Sequence, residues 1–195
     1  MGILHGTIVE ETTGEKLDAK VHVLNAMGNF SHPHNSLLKR GPGTQFFFSD
    51  GEFETRGSRG RTDILVERGT EYEPYRTTVE LPEKGCVDIE IPLRRWHHPQ
   101  ERHWYPGNTH IHYDENEKQP DRRLGVDCSV EGYNVTCVSV LDRRQLPYAS
   151  NKYPIGVMNE FKTAHHVLDI GEENRHYGDN SPWGFGYGHV MFLNI

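Results

Sequence analysis

The 195-residue chain has only three cysteines, Cys86, Cys128 and Cys137. Their number is odd, their spacing wide, and no Cys-x-x-Cys occurs, which argues against a disulfide framework or a thiolate zinc site. Reduced thiols in the cytoplasm are the reading that follows. Positive charge is also scarce. Lys and Arg total 21 against 28 Asp and Glu, a formal net charge of −7. Nucleic acids and anionic membranes call for a basic face, so neither is an expected partner. No apolar run approaches the roughly 20 residues of a membrane span. Met1–Thr7 lacks the basic and apolar regions of a secretory signal, and the myristoylation pattern fails at its sixth position. Gly-Lys-Ser/Thr, a strand–helix Gly-x-Gly-x-x-Gly and Gly-x-Ser-x-Gly are all missing. Phosphate cradles and the nucleophile elbow of serine hydrolases are therefore not expected.

What is present is a glycine- and proline-rich globular composition, with 20 Gly and 11 Pro. The length suits one large domain or two small ones. Residues 1–95 read as an all-β module. Ile3–Val9, Ala19–Asn25, Thr62–Gly69, Tyr75–Leu81 and Val87–Leu93 form short strands, several with apolar and polar residues alternating. Ser49-Asp50-Gly51 gives a hairpin-like turn, and 29–44 reads as a long loop. Short strands with regular turn punctuation indicate a β-sandwich. Residues 94–106 are polar, aromatic and proline-bounded, the composition of a packed linker. In the second domain, 96–195, Tyr133–Leu141, Val167–Gly171 and His189–Ile195 are largely apolar strands. A short helix falls within 119–133 and a helical turn within 159–166. Continuous apolar strands with intervening segments imply a partly parallel sheet covered on both faces.

His110 and His112 form the sharpest candidate site. On a strand, residues two apart share a face, so both imidazoles aim the same way at a spacing that one metal cluster can bridge. The plain alternative is two surface histidines on an edge strand. Glu172 follows the strand that ends at Gly171, at the border where α/β sheets place their ligands. His189 opens the last strand after the glycine-rich Gly184–Gly188. Taken alone, each reads as a solvated loop or edge residue. With the His-x-His pair they become a candidate metal centre of His110, His112, Glu172 and His189. Asp142 occupies a similar strand-end position and reads as a turn aspartate. His165 and His166 read as structural.

From Trp104 onward the chain resembles the CehA/McbA-like metallohydrolases of the PHP (polymerase and histidinol phosphatase) superfamily. The segments that carry the resemblance are Pro106–His112, Asp169–Arg175 and Gly188–Leu193. The region before the linker is similar to the carboxypeptidase-regulatory-like, transthyretin-like sandwich. The resemblance implies an α/β fold class with an all-β N-terminal domain: a sandwich followed by the N-terminal part of a distorted TIM-like (β/α)7 barrel. About 90 residues cannot close such a barrel, which needs roughly 200 or more. The expectation is therefore either a fragment of a longer protein, the N-terminal portion of such a hydrolase, or a short form whose open sheet edge is covered by self-association or a partner chain. The resemblance further implies that His110, His112, Glu172 and His189 bind a divalent transition metal, zinc, manganese or iron. The implied activity is metal-dependent hydrolysis of an ester, phosphoester, carbamate or amide in a small-molecule substrate. No catalytic acid or base is assigned. The alternative is a non-catalytic binding or scaffolding protein with an incomplete half-barrel.

Overall fold

The computed structural model describes residues 1–41, 43–113, 120–140, 153–175 and 189–193. The chain divides into two compact units, Met1–Arg102 with Val130–Gly132, and His103–Ser129 with Tyr133–Ile195.

In the first unit β1 (Gly2–Glu10) lies between β5 (Glu52–Gly57), antiparallel, and β8 (Cys86–Leu93), parallel. A second, antiparallel sheet has the order β3 (Leu38–Gly41), β4 (Thr44–Ser49), β2 (Ala19–Leu24), β6 (Gly60–Glu67), β7 (Tyr75–Leu81). Strand alternation makes this a sandwich. In β2, Ala19, Val21 and Val23 are buried while Lys20 and His22 are half-buried. Together with Leu4, Ile8, Phe47, Ile64 and Ile91 they form one apolar cluster. Each such side chain contributes about 1.5–3 kcal/mol by leaving water.

One turn differs from its sequence reading. Ser49-Asp50-Gly51 does not close a hairpin, because β4 and β5 belong to different sheets. The turn instead carries the chain from one layer to the other, with Gly51 at φ 112°, a region open to glycine. Pro82–Gly85 likewise joins β7 to β8 across layers. The expected loop at 29–44 contains β3, an edge strand whose Lys39 and Arg40 pair with Phe46 and Gln45. Charge on an edge discourages further pairing.

In the second unit β9 (Gly107–Tyr113) and β12 (Val167–Ile170) flank β10 (Val135–Val140), all parallel. The helix α1 (Pro120–Val130) makes the crossover from β9 to β10. Proline at its first position fits, since that N–H has no helical partner in any case. Leu124 and Cys128, one turn apart, bury against Val138, Leu168 and Ile170. β11 (Gly156–Val157) adds antiparallel to β12. β13 (Glu172–Arg175) and β14 (His189–Phe192) form a separate antiparallel pair.

This corrects the expected fold class. A (β/α)7 barrel repeats parallel strands, each followed by a helix. Here the described residues hold fourteen strands and one α-helix, and two of the pairings in this unit are antiparallel. The reason is local. Only Met158–His166 separates β11 from β12, too little chain for a parallel crossover of a dozen or more residues. Gly171 alone separates β12 from β13, so no helix intervenes there. The parallel β9, β10 and β12 agree with the partly parallel sheet expected; the antiparallel β11 and the β13–β14 pair do not.

Candidate metal centre

The site begins with an irregularity in β9. Thr136 pairs with Asn108 and Val138 with Ile111, so β9 holds one more residue than β10 between those pairs. This is a β-bulge at Thr109-His110, a device that re-aims side chains. Ile111 turns to the apolar cluster under α1. His110 and His112 lie on the other side of the strand.

Their Nε2 atoms converge to 2.6 Å, with the rings edge-to-face at 4.6 Å between centroids. The third donor is Glu173. Its Oε2 lies 2.8 Å from His112 Nε2 and 3.7 Å from His110 Nε2. The three edges bracket the roughly 3.3 Å that separates donor atoms around a tetrahedral zinc ion with bonds of about 2.0–2.1 Å. All three donor atoms lie within 4.8 Å of one another. The Glu173 side chain is fully buried, while those of His112 and His110 are 26% and 47% exposed. The cluster therefore has a closed floor and an open mouth.

The protons decide what this arrangement wants. His112 Nδ1 lies 3.4 Å from the Ser139 carbonyl oxygen. A carbonyl can only accept, so this contact suits a hydrogen on Nδ1, which in a neutral His112 leaves Nε2 able to ligate. Nε2 faces a carboxylate oxygen and a second imidazole nitrogen. A buried carboxylate also needs positive charge nearby. A cation at the centre satisfies all three groups. Backbone orientation of a ligating imidazole through its other nitrogen is the usual support of a metal-bound histidine.

The sequence-derived set is thus partly assembled. His110 and His112 come together. The carboxylate that meets them belongs to Glu173, not to Glu172, which precedes it in β13 opposite Phe192. His189 opens β14 opposite Arg175, and its side chain lies outside the described residues. So do Asp142 and Gly184–Gly188. Glu173 had a readable signal: Leu168 and Ile170 enter the core, so a period of two continued through Asp169 and Gly171 reaches Glu173. His165 is exposed and His166 buried, the latter with its Nε2 3.4 Å from Thr136 Oγ1.

No family model matches the chain. No curated protein matches it. Among solved structures it is similar to a minor pilin of the Gram-positive pathogen Streptococcus agalactiae. Identity is 16% and the TM-score 0.38, over 50% of this chain and 46% of the pilin chain. The chain thus spans less than half of that pilin, and so distant a likeness carries no argument about function. The PHP resemblance, its label as a hydrolase of that superfamily and its barrel are corrected: the described strands lack the barrel's strand–helix repeat, and two of their pairings are antiparallel. Any chemistry rests on the site itself.

Proposed function

We propose that the chain binds one divalent transition-metal ion through His110, His112 and Glu173, and that the ion serves metal-dependent hydrolysis of a small-molecule substrate. The observation that carries this reading is the convergence of two imidazole nitrogens and one buried carboxylate oxygen. The donors are hard or borderline, which suits zinc, manganese or iron. Bound there, such an ion supplies Lewis-acid chemistry, polarising a water molecule for attack on an ester, phosphoester, carbamate or amide. The chain's own part is positional. Ser139 orients His112, the bulge aims His110, and Glu173 brings a buried carboxylate to the centre. The exposed rim at His110 leaves room for substrate. Cytoplasmic placement, with Cys86, Cys128 and Cys137 reduced, belongs to the same reading, as does self-association through an open sheet edge.

A non-catalytic role has its own support. Glu173 lies on the β13–β14 pair and the histidines on β9, so the ion would join two separate sheets. The experiment is metal analysis of purified protein, followed by hydrolysis of aryl esters and phosphoesters with and without chelator. Stoichiometric metal with chelator-sensitive turnover supports the hydrolytic reading. Stoichiometric metal without turnover on any of these substrates supports the structural one. Failure to bind any of zinc, manganese or iron overturns both.

A further inference from the structure

The five-stranded sheet of the first unit has an outer face turned away from the sandwich core, and on it lies a groove of about 740 Å³. That volume falls in the range of small-ligand sites, about 300–1,000 Å³. Its floor follows from the register. His22 lies opposite Leu65 and Leu65 opposite Arg76; one step along, Leu24 lies opposite Asp63 and Asp63 opposite Thr78. Directly opposed residues share a face, so the six side chains make two parallel rows. Gly28 and Gly43 stand at the rim.

The charges along the groove are placed unequally. The Asp63 carboxylate accepts from Thr78 Oγ1 at 2.6 Å and from Arg61 Nε at 3.0 Å. Those two bonds, the one from Thr78 first, hold it below the usual carboxylate range. Arg61 is thereby engaged with Asp63 and lies opposite Glu80. Arg76 makes no ion pair among the described residues and brings a guanidinium to the groove, with the nearby Glu67 carboxylate turned to His22. Beside it the floor is aliphatic: Leu65 is half-buried and Leu24 is 42% exposed. A planar guanidinium pairs best with a carboxylate, through two parallel hydrogen bonds.

We propose that this groove binds a small organic carboxylate, its anionic head on Arg76 and its apolar body along Leu65 and Leu24. The site is independent of the metal centre, since every residue that lines it belongs to the sandwich.

The test is an amide-shift titration of the ¹⁵N-labelled full chain with 3-phenylpropionate at constant ionic strength and pH 7. The expected result is saturable shifts at Leu24, Leu65 and Thr78. Arg76→Gln, a surface change on β7, should weaken binding about tenfold or more, the loss of one charge-assisted pair. The neutral 3-phenylpropanamide, tested on the unchanged protein, should show the same loss. Absence of saturable shifts at those residues overturns the proposal. So does an amide that binds as well as the acid, or full affinity in folded Arg76→Gln.

Discussion

Glu172 and Glu173 are neighbours of identical chemistry, and only strand parity separates them. The structure turns Glu173 to the histidines and leaves it fully buried. Glu173→Gln should therefore lower zinc affinity by more than the 10–100-fold typical of an outer-sphere partner. Glu172→Gln should leave it within about twofold; isothermal titration of both variants checks this. The histidine pair was legible because a His-x-His spacing on a strand fixes a shared face. The glutamate was read one position early: with Leu168 and Ile170 in the core, the opposite face runs through Asp169 and past Gly171 to Glu173, whereas the sequence reading stops at Glu172, the first carboxylate after that glycine. A second residue-scale expectation concerns His166. Burial holds its pKa below the ordinary histidine value, against a raising hydrogen bond that the ring donates to the Phe161 backbone. The folded state then takes up a proton less readily than the unfolded one. Stability is complete above about pH 6.5 and declines as pH falls through that value. Urea midpoints in chelator at pH 7.5 and 5.5 should show a smaller acid loss in His166→Gln than in the parent, because that contribution is removed.

At the scale of elements, the junction of β12 and β13 sets the site. A Cβ on Gly171 would lie 2.8 Å from the Phe192 carbonyl oxygen and 3.2 Å from the Leu193 side chain. Backbone cannot yield as a flexible side chain can, so the β13–β14 pair would have to shift. Gly171→Ala should lower both stability, by about 1–3 kcal/mol, and metal affinity. A variant that kept the parent's denaturation midpoint and zinc affinity would contradict this account of the junction. Metal should also tie the β13–β14 pair to β9. Hydrogen exchange of the amides at 172–175 and 189–192 should slow when zinc is added and recover with chelator. Strand existence in this unit was readable from runs such as Val135–Val140. The parallel course of β9, β10 and β12 was expected too; the returns at β11 and at β13–β14 were not, because apolar runs carry no record of whether the next segment returns or crosses over. The antiparallel β11 and the β13–β14 pair are where the barrel expectation gave way.

For the whole molecule, the sandwich was the more legible half. Its strands alternate cleanly, as Ala19–Leu24 does, and alternation reports burial on one face; Glu52–Gly57 alternates as well but lies outside the strands read from the sequence. Which strands share a sheet was less clear, since the turns after Ser49 and Leu81 change layers. The two units make separate thermal predictions. A ligand stabilises only the unit that holds it, by about 2.7 kcal/mol at a hundred times its dissociation constant. Zinc should raise the unfolding temperature of the second unit, with its helical signal, and leave that of the sandwich unchanged.

The central claim is that two imidazoles and one buried carboxylate hold a cation together. The most direct measurement is cobalt(II) substitution followed by visible absorption. The account predicts one equivalent of cobalt with a four- or five-coordinate spectrum, lost in His110→Ala, His112→Ala and Glu173→Gln and retained in Glu172→Gln. Cobalt that stays octahedral and weakly held in the parent, or a spectrum that survives loss of both histidines, would contradict it.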